Sequence, residues 1–141
     1  MQVRPTQRSL TITNRTDQLQ VVRDFVRESL HAGAVNSGIE NRISLAIDEA
    51  VANIIEHGYE SDRTGSIDLL IEISPGRFQV VIRDSGHSFH PDGVADPDLD
   101  EHLREGKRSG LGVFLMRQVM DEVEYSFREG LRNELKMVKY L

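Results

Sequence analysis

Three short stretches of this chain carry residue types and spacings that could do chemistry. Glu49, Asn53 and His57 recur every fourth residue, with Asp48 beside the first of them. On a helix that spacing sets neighbouring members about 5–6 Å apart on one face. A carboxylate one turn from a carboxamide can pair a general base with a neutral oxygen ligand for Mg²⁺. The same four residues also read as the solvated edge of a helix, and spacing alone favours that reading.

The second stretch is Val80-Val81-Ile82-Arg83-Asp84-Ser85-Gly86. An apolar strand delivers Asp84 to its end, and Gly86 then lets another group approach the backbone closely. A carboxylate there can accept a hydrogen bond from the exocyclic amine of a base, or simply start an Asp-Ser-Gly turn. The third is Lys107-Arg108-Ser109-Gly110-Leu111-Gly112-Val113. Two glycines opening a helix turn backbone N–H groups toward an anion, where the helix dipole favours negative charge. The pattern is neither a Walker A loop nor a dinucleotide fingerprint. Arg108 follows Gly106-Lys107 where Ser or Thr is needed, and Leu115 stands where a third glycine belongs. Taken alone, Gly110-Leu111-Gly112 also suits a hinge. Together, a base-reading Asp, a Mg²⁺-binding Asn and a phosphate-binding glycine turn make a coherent ATP site.

The elements that must position these residues follow from periodicity. Ser9–Thr13 alternates as a short strand. Asp17 opens a helix through about His31, with Leu19, Val22, Phe25, Val26 and Leu30 on one face and Gly33 closing it. Ser37 and Glu40 have capping-box spacing, so a second helix runs from about 38 to His57. Its buried stripe is Ile39, Ile43, Ile47, Ala50, Val51, Ile54 and Ile55. Ile67–Ile73 and Arg77–Arg83 read as a hairpin around Ser74-Pro75-Gly76. Residues 85–109 show no period, and a loop of that length in a small domain is usually functional. A third helix is expected from Gly110 to about Met120. Val123–Arg128 and Glu134–Leu141 then alternate as a closing hairpin. The order β-α-α-β-β-loop-α-β-β predicts an α+β two-layer sandwich, with helices on one face of a mixed, largely antiparallel sheet.

Composition narrows the classes. With 141 residues, 28% charged and 38% hydrophobic, the chain reads as one domain spanning 1–141. A chain of that size buries roughly 68–70% of its unfolded surface. A net charge of −6 is a poor match for a phosphate backbone, so direct nucleic-acid binding is not expected. The absence of cysteine removes disulfides, thiol catalysis and Cys-based zinc sites, and fits a cytoplasmic location. No run reaches the roughly 18 apolar residues of a membrane span, and the N-terminus has no signal-peptide core, so no membrane partner is expected.

Asp48-Glu49-Ala50-Val51-Ala52-Asn53-Ile54-Ile55-Glu56-His57-Gly58-Tyr59 resembles the N box of the GHKL, or Bergerat-fold, ATPases. Asp84-Ser85-Gly86-His87-Ser88-Phe89 and Ser109-Gly110-Leu111-Gly112-Val113-Phe114-Leu115-Met116 resemble their two glycine boxes. His57-Gly58-Tyr59 and Met120-Asp121-Glu122-Val123 are similar to the small anti-sigma factor serine/threonine-protein kinases within that superfamily. No sensor, transmembrane or phosphotransfer segment precedes the match, so a sensor histidine kinase is not expected.

The resemblance implies a role for each matching residue. Glu49 is the expected general base toward a Ser or Thr hydroxyl, and Asn53 the Mg²⁺ ligand. His57 lines the nucleotide pocket, Asp84 reads adenine, and Gly86 lies beside the base. Lys107, Arg108, Ser109, Gly110, Leu111, Gly112 and Val113 form the phosphate-binding end of an ATP lid over about 87–109. Arg108 is the expected stabiliser of charge on the transferred phosphoryl group. The implied cofactors are ATP and Mg²⁺. The implied partners are a STAS-domain anti-sigma factor antagonist as substrate, a sigma factor held by sequestration, and a second copy in a homodimer. An exposed edge strand near the first strand would need such a cover. A protein-binding module that holds nucleotide without transferring phosphate is the alternative. Two positions depart from the family pattern: Ser88 replaces a glycine of the first box, and Gly130-Leu131-Arg132-Asn133 replaces a Gly-Thr before the last strand. Asn133 is then the candidate substitute for the lost hydroxyl contact to phosphate.

Overall fold

The structure, a computed structural model, describes residues 6–57, 65–85, 116–127 and 133–141. Its elements are β1 (Thr6–Thr13), a 3-10 turn (Thr16–Gln18), α1 (Leu19–Ala32), α2 (Ser37–His57), β2 (Ser66–Ser74), β3 (Arg77–Asp84), β4 (Glu122–Phe127) and β5 (Asn133–Tyr140). Residues 116–119 are helical and lead into β4. The rest of the expected third helix, Gly110–Leu115, lies outside the described residues.

The strands form one sheet in the order β1-β2-β3-β5-β4. Every described pairing is antiparallel, with none of the parallel pairs a mixed sheet would contain. Alternation along the strands gives the sheet two unlike faces. Ile67, Leu69, Ile71 and Ile73 of β2, Phe78, Val80 and Ile82 of β3, and Leu135 and Met137 of β5 are all buried in one apolar core. Val22, Phe25, Val26 and Leu30 of α1 and Ile43, Ala46, Ile47, Ala50 and Val51 of α2 close over that face. Their 3.6-residue spacing presents one stripe per helix to the sheet, so a two-layer α+β sandwich follows. Buried Ser29 fits the stripe because its hydroxyl donates to the Phe25 carbonyl at 2.7 Å.

Gly33 closes α1 as expected, whereas the N-cap of α2 differs from the sequence expectation by one residue. At the end of α1, Val35 N–H reaches the Leu30 carbonyl at 3.0 Å and Ala34 N–H reaches His31 at 3.1 Å. That is a Schellman cap, and its left-handed position belongs to Ala34, with φ 55°, rather than to Gly33. Gly33 is needed for a different reason. A Cβ placed there would sit 2.8 Å from the Ile73 side chain, so α1 meets β2 at glycine distance.

The capping box expected from Ser37 and Glu40 does not form. Asn36 is the N-cap instead, its Oδ1 accepting from Gly38 N–H at 2.9 Å and its carbonyl from Glu40 N–H at 2.8 Å. This places Ser37 at the first helical position. Glu40 turns back to His31 of α1, with Oε1 3.0 Å from Nε2.

Candidate nucleotide site

The two helices run antiparallel, since His31 pairs with Glu40 and Arg23 with Asp48. Gly33, at the end of α1, abuts Ile73 near the end of β2. Asn14, just before α1, accepts from Gly65 N–H at 3.0 Å, at the start of β2. So α1 travels from the Ile67 end of the sheet to the Ile73 end, and α2 travels back. Ile67 is paired with Asp84, and Asp84 with Asn133. The C-terminal half of α2, which carries Glu49, Asn53 and His57, therefore points to the sheet end that holds Asp84.

Asp48 and Glu49 part company on this helix, because adjacent residues lie about 100° apart around its axis. Asp48 faces α1, where Arg23 grips it through Nε at 2.7 Å and a terminal nitrogen at 3.2 Å. The hydrogen bond that the Arg23 guanidinium donates to Asp48, reinforced by the carboxylate's charge, holds Arg23 above its usual range, while burial pulls the other way. Glu49 is half-buried on the next flank, in line with Asn53 one turn on. Asn53 carries the clearest local signal. Its side-chain Nδ2 is buried and has no hydrogen-bond partner among the described residues. A buried amide left so costs about 1–3 kcal/mol and calls for an explanation such as a ligand, water or ion. His57 closes α2, and its backbone alone is described.

Asp84 continues the inward-facing row Phe78, Val80, Ile82 and is 4% exposed. A buried carboxylate needs donors. Asn133, directly opposite on β5 and also 4% exposed, supplies one from Nδ2 to Asp84 Oδ1 at 3.1 Å. This partnership was the relationship sequence reasoning missed. The register carries it: β3 pairs antiparallel with β5, residue 77 with 140 through 84 with 133, and that these two strands are neighbours was not readable from the sequence. Gly86 and the stretch Lys107, Arg108, Ser109, Gly110, Leu111, Gly112 and Val113, with the expected lid, lie outside the described residues. The structure thus brings Glu49, Asn53, Asp84 and Asn133 to one end of the sandwich.

The residues fit a Mg²⁺–nucleotide pair on chemical grounds. Mg²⁺ is commonly held by one or two oxygen side chains plus substrate phosphates rather than by a cage of protein ligands. Among the described residues no group of three His, Cys, Asp or Glu could hold a metal by itself. The Asn53 carboxamide oxygen could supply one such ligand, while its orphaned Nδ2 is a donor and would meet an acceptor such as a phosphate or water oxygen rather than the cation.

The fold is a two-layer α+β sandwich, and comparison with known proteins gives its class as an ATPase domain. The model of the histidine kinase-like ATPase domain matches residues 12–139. The serine-protein kinase RsbW of Staphylococcus aureus is 34% identical over 115 residues, covering 78% of this chain and 70% of the relative. The serine-protein kinase RsbW of Staphylococcus epidermidis is 36% identical over 118 residues with the same coverage. The crystal structure of the RsbU and RsbW domains of Rv1364c from Mycobacterium tuberculosis superposes with a TM-score of 0.69 over 96% of this chain at 20% identity. This chain spans 32% of that longer one, and the likeness is one of fold. The chain belongs to the histidine kinase-like ATPase domain family and, within it, to the ATP-dependent serine-protein kinases of the RsbW group. No helix among the described residues is long and apolar enough to cross a membrane.

Proposed function

We propose that this chain binds Mg²⁺-ATP, transfers its γ-phosphoryl group to a serine or threonine of a STAS-type anti-sigma factor antagonist, and sequesters a sigma factor. The observation that carries the reading is the flank of α2 on which Glu49 and Asn53 stand in line, directed to the sheet end of Asp84. Asp84 accepts from the adenine amine, and Gly86 gives the base room. Asn53 holds the metal through its carboxamide oxygen, and Mg²⁺ bound there screens the phosphate charges. Lys107 through Val113 cradle the phosphates, with Arg108 on the charge that develops during transfer. Glu49 takes the hydroxyl proton as the acceptor oxygen bonds to phosphorus and the bond from phosphorus to the ADP oxygen breaks.

A partner switch of this kind needs nucleotide to change the relative affinity for two proteins. Phosphorylation removes the antagonist as a competitor, and the sigma factor is then held. A homodimer, a cytoplasmic location and the absence of nucleic-acid or membrane partners complete the proposal. The test is phosphate incorporation into a cognate antagonist by the wild type and Glu49→Ala. Transfer by the wild type, and loss of transfer with ATP binding kept in the variant, is the expected result. Wild-type-like transfer by Glu49→Ala removes Glu49 as the base. Retained nucleotide with no transfer by the wild type to any cognate antagonist leaves the binding-module reading.

A further inference from the structure

We infer that Leu45 and Arg42, on the flank of α2 that leads back from Glu49, are a docking track for the acceptor segment of the protein substrate. The segment that fits is extended. It carries an apolar residue two positions from the phosphorylated serine or threonine, and a carboxylate three or four positions away on the same side. The inference rests on the proposed kinase reading and adds to it the substrate sequence that the site takes.

Three observations support the track. At about 100° per residue, Arg42, Leu45 and Asn53 all lie within about 40° of Glu49 around the helix axis, whereas Asp48 is turned away to Arg23. Leu45 is 45% exposed, while its neighbours Ile43, Ala46 and Ile47 are buried, so an apolar side chain stands in solvent one turn from the proposed base. Arg42 is exposed and has no ion pair among the described residues, whereas Arg8, Arg15, Arg23, Arg27 and Arg83 each reach a carboxylate.

The chemistry gives the track its direction. In phosphoryl transfer the attacking and leaving oxygens stand roughly in line. In the proposed site the nucleotide extends from Asn53 toward Asp84, so the acceptor approaches Glu49 from the other side and its chain runs back over Leu45 and Arg42. A rise of about 1.5 Å per residue puts Leu45 about 6 Å and Arg42 about 10.5 Å from Glu49 along the helix. An extended chain advances about 3.3–3.6 Å per residue, with every second side chain on one face. Leu45 therefore meets the second residue from the acceptor, and the long Arg42 side chain the third or fourth.

The test is steady-state phosphorylation of the cognate antagonist by the wild type, Leu45→Gln, Leu45→Met, Arg42→Gln and Arg42→Lys, with ATP affinity measured beside it. Covering a half-exposed leucine is worth about fivefold to tenfold in affinity, and a solvent-screened ion pair up to about fivefold. We expect Leu45→Gln to raise KM for the antagonist about fivefold to tenfold with kcat and ATP affinity kept, and Leu45→Met to stay near the wild type. Arg42→Gln should raise KM up to about fivefold, and Arg42→Lys less; added salt should weaken the wild type more than Arg42→Gln. In a double-mutant cycle, glutamine in place of the antagonist's apolar residue should cost the wild type as much as Leu45→Gln does, and cost Leu45→Gln little. Unchanged KM in Leu45→Gln, a fall in kcat or ATP affinity in its place, or an antagonist with no apolar residue at that distance overturns the track and leaves the kinase standing. Wild-type KM and salt dependence in Arg42→Gln overturn its acidic half. A wild type that phosphorylates no cognate antagonist overturns the kinase reading and this inference with it.

Discussion

Arg23 of α1 holds Asp48 of α2 with two nitrogens, at 2.7 and 3.2 Å, and so takes one of two adjacent carboxylates out of the site. Asp48 is bound to the neighbouring helix, and Glu49 is left on the flank that carries Asn53.

The two carboxylates should therefore fail in different ways. Arg23 is 51% exposed and Asp48 21%, and solvent-screened pairs contribute about 0.2–1 kcal/mol. Bidentate geometry puts this one near the upper end. Asp48→Asn is expected to lower unfolding free energy by up to about 1 kcal/mol in urea titration and to keep ATP binding. A double-mutant cycle with Arg23→Ala should show that the two losses do not add. Additive losses would mean that the pair contributes nothing.

Ala34→Gly should stabilise the protein. A left-handed residue with a Cβ is strained by about 1–2 kcal/mol, against about 0.4–1 kcal/mol of extra freedom that glycine has in the unfolded chain. With φ at 55° in the Schellman cap, the net expected gain is about 0.5–1 kcal/mol by thermal or urea unfolding. A loss of stability would contradict the cap.

Gly33→Ala should act in the opposite sense, one residue away. Its new Cβ meets Ile73 Cδ1 at 2.8 Å and Cγ2 at 3.0 Å. Overpacking of this kind costs about 1–3 kcal/mol, offset in part by the unfolded-state gain. Shortening the obstacle with Ile73→Val should make Gly33→Ala cheaper than it is alone. Equal cost in both backgrounds would rule out the contact as the cause.

The N-cap of α2 can be assigned the same way. Asn36→Ala is expected to cost about 1 kcal/mol, and Ser37→Ala to stay within about 0.5 kcal/mol. The reverse order would restore the capping box.

These junctions show where the sequence was legible. The apolar stripes of α1 and α2 and the alternation of β2, β3 and β5 are periodic over many residues, so the layers and their order could be read from one chain. Caps depend on single backbone angles. Asn36, Ser37 and Glu40 are all competent N-terminal residues, and only the path of the chain decides that Asn36 caps while Glu40 reaches His31. Similarly, nothing in Gly33-Ala34 says which residue takes the left-handed angle until Ile73 occupies the space beside Gly33. That Glu49 and Asn53 share one flank of α2 was legible because helical spacing is local, although spacing alone gave the pair no function. The division of labour between Asp48 and Glu49 needed the position of α1, and the Asp84–Asn133 bond joins residues 49 positions apart whose meeting depends on strand register.

Calorimetric titration of the purified chain with ATP, with and without Mg²⁺, beside Asn53→Ala, tests the central claim most directly. If α2 presents Asn53 as the metal ligand of a nucleotide site, ATP binds more tightly with Mg²⁺, and the alanine variant loses that increment. Equal affinity with and without the metal, unchanged in Asn53→Ala, would contradict the placement of Asn53. No binding of ATP or ADP after removal of co-purified nucleotide would contradict the site itself.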